Sequence, residues 1–382
     1  MRNQLKIVYG ALTIVAMLGL TSTVQGVPAF ARQTGLDCNS CHAAPGFPTL
    51  NSFGAAFKAA GYTQASEDNL IGDGEALSIP KALNMSVVYK VRQPIEVAGG
   101  KTVAPFENPD EIALLLGGRI APNIGYVIEA GGTSLDFASL KVVFAPEIGP
   151  VRLGIVPWFS DLGPGYIFET LSTGAVRNIR SMENRKVSSA INAIEYGGAN
   201  ATAQSGLGLY VWNPMFFVTL TPFMATAFDP QPDWTVNSIG YYGRVAVTPT
   251  LGPVDLGVGV QYYFGKADDL AGGVAKLNTL GVDVQAMMNV GIPLSVFLTY
   301  ANDIEGQKSA ANISVDAAII PDVLMLDLAF RLGLTTNVDN EIGIGAKFHI
   351  VRNVKLEVDV AYSLPATGTG ELQILPLIFG AF

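Results

Sequence analysis

From about residue 78 onward, apolar and polar residues alternate with a period of two. In "LMLDLAFRL" (324–332), Leu324, Leu326, Leu328, Phe330 and Leu332 fall on one side, and Met325, Asp327, Ala329 and Arg331 on the other. "VKLEVDVAY" (354–362) sets Val354, Leu356, Val358, Val360 and Tyr362 against Lys355, Glu357, Asp359 and Ala361. Successive side chains of a strand point to opposite faces, so each stretch predicts a strand with one greasy face and one charged or small face. A sandwich strand would share this pattern, with its greasy face in the core. Connection lengths separate the two architectures. Sixteen strands are predicted, starting near residues 78, 111, 124, 138, 151, 205, 216, 240, 254, 280, 294, 311, 324, 341, 354 and 371. After each even strand the break is short, as in "APN", "NP", "PD" and "RN". After odd strands it is usually longer and more polar, as in "QPIEVAGGKTVAPFENPD" and "FDPQPDWTVNS", and residues 160–204 form the longest break. Short turns at one end and long loops at the other predict a mostly β fold, a transmembrane outer-membrane β-barrel of about 16 antiparallel strands. The even strand count puts the short turns and the C-terminus, "LIFGAF", on the periplasmic side.

Composition agrees with that choice. The chain of 382 residues is apolar (mean hydropathy +0.35), holds 42 glycines and is only 14% charged. Yet after its first residues it contains no uncharged apolar run of the length, about 18–20 residues, that a membrane helix needs. The start itself, with Arg2 and Lys6, the apolar run 7–20 and "VQG", reads as a secretory signal over residues 1–26, with a cut after Ala31 as the alternative. Without Arg2 and Lys6 the 23 basic residues fall to 21 against 32 acidic ones, a net charge of −11. That balance argues against nucleic acid as a partner and suits attraction of cations.

Residues 27–76 differ from the barrel segment 77–382. "FPTLNSFGAAFKAAGY" spaces Leu50, Phe53 and Phe57 along one face of a short helix, with Thr49 or Asn51 available as its cap, and "QASEDNLIGDGE" reads as a polar linker. Both cysteines of the chain and one of its two histidines sit just upstream, as Cys38, Cys41 and His42. The spacing C-x-x-C-H lets two thiols add to the vinyl groups of one haem while the adjacent imidazole ligates its iron. Export would deliver the chain to the compartment where such attachment occurs. A thioredoxin-like pair would want a βαβ setting, and a zinc site would want four ligands where only His349 could join these three. A simple disulfide is the remaining alternative.

The stretches "PAFARQTGLDCNSCH" (28–42) and "FPTLNSFGAAFKAAGYT" (47–63) resemble the fused monohaem cytochrome c–porin family, the outer-membrane cytochromes of bacterial iron oxidation. The likeness covers about forty residues in motif and the rest only in architecture. It implies a small α-helical cytochrome c plug ahead of the barrel, with one covalent haem c on Cys38 and Cys41 and His42 as axial ligand. It also implies oxidation of extracellular Fe(II) with the electron passed to a periplasmic cytochrome c, an Fe(II):cytochrome c oxidoreductase-like transfer. "AAPG" after His42 departs slightly from the family's approach to the Phe-Pro pair, which bears on the haem's local cover.

Residues 27–76 contain no methionine and no second histidine, and Lys58 is their only lysine. Strand parity therefore directs attention to the barrel for the iron's sixth position. Met85 shares a face with Leu83, Val87 and Tyr89 and is predicted to meet lipid. His349, Met325 and Met287 share faces with Lys347, with Asp327 and Arg331, and with Asp283, Gln285 and Asn289, which places all three in the lumen. His349 ranks first among these distal-ligand candidates. No acid/base pair or triad is expected, since the protein's part would be placement and tuning of the cofactor. Acidic loop residues such as Glu107, Asp110, Asp229 and Asp233 could concentrate Fe(II). Two other readings stand beside this one: a diffusion porin whose haem segment gates it, and electron transfer with another donor or in the outward direction.

Overall fold

The computed structural model describes residues 28–43, 49–72, 78–131, 136–174, 182–183, 185–199, 203–226, 238–268, 274–351, 353–365 and 368–382. The predicted signal, Asp229 and Asp233 lie outside them. Two helices, α1 (Pro28–Thr34) and α2 (Ser52–Ala59), precede the barrel. The wall then runs through β1 (Met85–Arg92), β2 (Glu107–Ala121), β3 (Ile124–Gly131), β4 (Asp136–Phe144) and β5 (Val151–Ser160). Two single-turn helices, α3 (Arg185–Ser188) and α4 (Ala190–Ala193), follow within the longest connection. The remaining strands are β6 (Gln204–Asn213), β7 (Phe216–Ala225), β8 (Gly240–Val247), β9 (Val254–Asp268), β10 (Val274–Asn289), β11 (Pro293–Asp303), β12 (Lys308–Ile320), β13 (Leu324–Gly333), β14 (Asn340–Val351), β15 (Val354–Leu364) and β16 (Glu371–Ala381). Neighbours pair antiparallel, and β16 returns to β1 through Leu377↔Arg92 to Ala381↔Val88, closing a barrel of 16 strands. Closure leaves no unpaired edge, the condition for strands to cross a bilayer.

The alternation seen in the sequence sorts residues between wall faces. On β13, Leu326, Leu328, Phe330 and Leu332 point outward and are 42–51% exposed, while Met325, Asp327, Ala329 and Arg331 are buried inside. Leu328→Arg therefore puts a cation against lipid and should destabilise the barrel by about 2–4 kcal/mol if it sits at mid-membrane depth. Denaturant unfolding in lipid vesicles measures this, with Ala329→Ser on the inner face as the mild control.

Three features depart from the expected layout. The first wall strand begins at Met85 and not near residue 78. Ile79–Pro80 instead pairs with Leu70–Ile71 outside the wall, and Lys81 N donates to Asn69 O at 2.8 Å. Pro80 has no N–H to give to a ladder, which favours so short a pairing. Secondly, part of the expected loop 93–110 is a hairpin, Ile95–Ala98 with Lys101–Val103, which extends the wall and pairs with β16, and the next wall strand starts at Glu107 and not near 111. Its turn is Gly99-Gly100, both with positive φ (55° and 75°), as a primed two-residue turn requires. This moves Glu107 and Asp110 from a loop onto β2, where Asp110 bonds Arg92 at 3.0 Å. Thirdly, described residues of the long connection after β5, Ile167, Phe168 and Leu171 among them, pack inside the barrel.

Two chain segments thus fill the barrel. At the short-turn end, buried Gln33 of α1 donates to Tyr62 O and Gln64 O (both 2.7 Å) and accepts from Asn84 Nδ2 (2.8 Å). Tyr210 OH on β6 donates to Ala59 O at 2.7 Å. Gly125 on β3 has no Cβ because the Gly61 carbonyl occupies that place. From the other side, Phe168 stacks on Tyr210 with ring centres 4.0 Å apart, and Leu171 packs where a side chain on Gly257 would stand. Phe57 and Tyr62 from the first segment and Ile167, Phe168 and Leu171 from the second join Trp158, Tyr210 and Phe217 of the wall in one buried cluster.

Candidate functional site

The C-x-x-C-H stretch forms a tight turn. Asp37 accepts from Cys38 N at 2.8 Å and caps the 3-10 helix Cys38–Ser40, and Cys38 O accepts from both Cys41 N (3.1 Å) and His42 N (3.0 Å). The chain then returns at Leu50, which bridges antiparallel to His42, and Asn51 N donates to Cys41 O at 3.0 Å. Asn51 is the α2 cap, as one of the two expected choices: its Oδ1 accepts from Gly54 N (2.9 Å), while its Nδ2 reaches Ser40 O (3.1 Å). One side chain thus fixes both the helix start and the turn. Thr49 does other work, with its carbonyl 3.3 Å from His42 Nδ1 and its hydroxyl accepting from Ser172 Oγ at 3.0 Å. Leu50, Phe53 and Phe57 do not form the expected single face. Phe57 is buried in the aromatic cluster, Phe53 is 39% exposed, and Leu50 precedes the helix.

Gly54 is where α2 touches the turn. A Cβ there would sit inside the Cys41 carbonyl oxygen. Gly54→Ala should therefore push the helix off the turn and cost about 1–3 kcal/mol as an overpacked buried contact, despite alanine's better helix propensity. Thermal unfolding and the yield of covalently modified chain would report it.

Both cysteines are half-buried thiols. Burial raises Cys41 above its ordinary value, and neighbouring Cys38 raises it further. A reactive redox pair shows the opposite shift, toward the thiolate. His42 Nδ1 beside the Thr49 carbonyl matches the usual outer-shell arrangement of a histidine that ligates through Nε2. Beside the turn lies a cavity of about 370 Å³, bounded by Leu50 and Ala55 on one side and by Leu171, Trp212, Leu256 and Met287 on the other. Its volume falls within the range of small-molecule and cofactor sites, about 300–1,000 Å³. Cys38, Cys41 and His42 do not line this cavity; what fits a c-type haem is the donor set itself, two thiols and an imidazole on one turn. Among the described residues, no three His, Cys, Asp or Glu side chains converge as a metal-ion site.

The three distal candidates all face inward but part company around the barrel. Met287 on β10 lines the cavity. Met325 on β13 is buried and pairs in register with Lys347. His349 on β14 is buried, four strands from β10, opposite Lys355 in register, with its backbone N–H on Val323 O (2.9 Å). Met85 is 39% exposed on the outer face, as parity predicts. Lys58 on α2 is half-buried, and desolvation lowers it while Glu169 opposes the shift.

Sequence reasoning missed the groups that hold the second lumen segment. Arg244 on β8, 1% exposed, donates through Nε to Glu169 Oε2 at 2.8 Å and through Nη2 to Asp283 Oδ1 at 3.1 Å. Farther along, Glu195 accepts from Lys186 and Lys308, each at 2.9 Å. The Lys308 bond, then the Lys186 bond, holds its carboxyl down at about 2. Since this is below the ordinary 4.5, the tether is fully present above the ordinary range and is lost as pH falls toward 2. Amide protection of residues 185–199, taken relative to the intrinsic exchange rate at each pH, should be flat from pH 8 to about pH 5 and fall only in stronger acid. A second cavity of about 760 Å³ lies nearby, lined by Lys90, Arg92, Asp110, Glu111 and Glu183, among others. Lys90 bonds Glu111 at 2.6 Å, and Arg92 bonds Glu183 at 3.2 Å.

The fold is that of a porin-like outer-membrane barrel. The high-pH structure of Pseudomonas putida OprB matches with a TM-score of 0.57 at 11% identity, over 78% of this chain and 94% of that one. An anion-selective porin from Comamonas acidovorans (TM-score 0.49, 15% identity, 79% and 99% covered) is also similar. So is a triple mutant of the Rhodopseudomonas blastica porin (TM-score 0.48, 10% identity, 78% and 100% covered). No protein-family model matches the chain, and no curated protein matches it.

Proposed function

We propose that this chain is an outer-membrane electron conduit, with one c-type haem joined to Cys38 and Cys41 and ligated by His42 at the periplasmic end of a filled barrel. The observation that carries this reading is the turn itself: two thiols and an imidazole on consecutive backbone, fixed by Asp37 and Asn51. When bound, the haem supplies one-electron chemistry. The chain's residues do the rest. The turn places the attachment sites, Thr49 orients His42, and the aromatic cluster of Phe57, Tyr62, Trp158, Phe168 and Tyr210 keeps bulk water from the middle of the lumen. Extracellular Fe(II) as the donor and a periplasmic cytochrome c as the acceptor follow from the family resemblance of residues 28–63.

A second reading, solute diffusion through a haem-gated porin, is favoured by the porin-like fold and by the charged 760 Å³ cavity. Proteoliposomes separate the two. Purified protein should show a c-type haem spectrum that Fe(II) outside reduces, with slow sugar swelling. Rapid swelling with a haem that Fe(II) does not reduce supports the porin reading. Reduction by other donors, or electron flow only outward, changes the donor or direction.

A further inference from the structure

We propose that the cavity of about 370 Å³ at the short-turn end of the lumen binds a small uncharged organic molecule that enters from the periplasmic side. The ligand has an apolar ring body of about ten to twelve non-hydrogen atoms and one carbonyl-type acceptor. Such a site is independent of any haem, because Cys38, Cys41 and His42 lie outside its lining.

The walls come from separate parts of the chain: the start of α2, Thr170 and Leu171 of the second lumen segment, the connections β6–β7 and β8–β9, and Met287 on β10. Close-packed interiors leave such a space open only where something props it. Here the props are hydrogen bonds behind the walls. Ser172 Oγ donates to Thr49 Oγ1 at 3.0 Å and Ser172 N to Gln285 Oε1 at 2.7 Å, which ties the lumen segment to the stretch before α2 and to β10. Asn51 Oδ1 fixes the first turn of α2 through Gly54 N at 2.9 Å. An apolar cavity of about 150 Å³ takes up benzene, so this one has room for a bicyclic molecule. Trp212, Met287, Pro214 and Pro249 give it ring faces and a thioether, surfaces that suit a flat ring. Met215 and Leu251, each 58% exposed on the two connections, mark the mouth.

Charge and hydrogen bonding narrow the ligand further. Among the described residues the lining has no Lys, Arg or His, and its one charged group, Asp255, is exposed at the rim, with Oδ1 accepting from Thr250 Oγ1 at 2.7 Å. An anion would meet that carboxylate and no counter-charge, so carboxylates are disfavoured. A polar anchor is present in Thr170, which is 6% exposed. Its N–H donates to Glu169 Oε1 at 3.0 Å, but its hydroxyl bonds no described residue. Threonine's staggered rotamers let hydroxyl and methyl exchange places, so the group can turn into the cavity. Buried hydroxyls are rarely left unbonded, and a ligand's carbonyl oxygen would complete this one.

The experiment uses the full chain in lipid nanodiscs, with methionine methyl groups labelled for NMR and tetralone as the probe. Titration should shift the Met287 and Met215 methyl signals saturably and leave those of Met325 and Met85 in place. Tetralin, the same ring system without the oxygen, should bind more weakly, and its carboxylate derivative should not bind. Thr170→Val, which is close to isosteric, should weaken tetralone by about fivefold, the effect of one hydrogen bond, and leave tetralin unchanged. Ala55→Phe should fill the space and abolish both. Thr170→Val keeps the test decisive if Ala55→Phe fails to assemble. No saturable shift at Met287, or equal shifts at Met287 and the lipid-facing Met85, means that the probe only dissolves in the bilayer, and the site is overturned. Equal binding of the carboxylate, or a Thr170→Val chain whose tetralone and tetralin affinities are both unchanged, overturns the ligand class. None of these readouts involves electron transfer, so the proposed function stands or falls separately in the vesicle assay.

Discussion

Replacing Cys38 and Cys41 by serine should abolish covalent haem and reduce Fe(II)-dependent electron transfer to background, while the barrel still assembles. The expected separation follows from what holds each part. The turn is kept by backbone bonds and by the side chains of Asp37 and Asn51, none of which uses sulfur. Both thiols are half-buried and outside the aromatic cluster, so the nearly isosteric change should cost the apoprotein less than about 1 kcal/mol. The single variants are informative too. One remaining thioether bond can retain haem in part, so each should lower the yield without eliminating it. His42→Ala should keep attachment and lose the native ligand field. Pyridine haemochrome spectra, the mass of the intact chain and vesicle electron transfer together read these outcomes. Full electron transfer in the double serine variant would remove the motif from the proposed function.

The wall was legible because a barrel strand states its two environments residue by residue. Leu326, Leu328 and Phe330 against Met325, Asp327 and Arg331 is lipid against lumen, and predicted starts such as 124, 151, 216, 254 and 354 are the observed ones. The C-x-x-C-H spacing can be read along the chain because it is compressed into five consecutive positions, 38–42. The lumen was not, for a physical reason. Parity says that a residue points inward, but not what approaches it there from a segment hundreds of residues away. Thus parity put His349, Met325 and Met287 all in the lumen with His349 ranked first, whereas in the fold it is Met287 that lines a cavity together with Leu50 and Ala55. Likewise parity put Asp283 on the lumen face, with no sign that Arg244 and Glu169 would meet there. One clue was present: "GPGYIFETL" (163–171) is too apolar for a solvated loop, and its Ile167, Phe168 and Leu171 are all buried. The helix at 52–59 was found, but its face was misjudged, because the contacts of Phe53 and Phe57 are set by the surrounding wall and not by helical spacing alone.

Arg244→Ala should have the largest effect on the barrel interior. The guanidinium is essentially unexposed, serves Glu169 and Asp283 at once and lies 5.8 Å from the Phe217 ring centre. Its removal leaves two buried carboxylates without their cation, a change of about 3–5 kcal/mol in other buried pairs. Burial already raises Glu169 above the ordinary carboxylate range, and Arg244 is the main group pulling it back, so the variant should take up a proton there. The lumen segment should then lose its anchor between Glu169 and Thr173, whose hydroxyl donates to Asp283. Arg244→Lys should rescue only in part, because a single ammonium cannot reproduce the planar fork that meets two carboxylates. Single-channel recordings should show small conductance in the parent, larger and noisier conductance in Arg244→Ala, and intermediate behaviour in Arg244→Lys. Glu169→Gln should be milder than Arg244→Ala, since it leaves Asp283 paired. If conductance stays low while stability falls, the aromatic packing of Phe168 on Tyr210 keeps the segment in place and the ion network contributes only stability. If conductance rises with stability unchanged, the network acts as a latch on a barrel that can conduct, which would strengthen the diffusion reading at the expense of a sealed conduit.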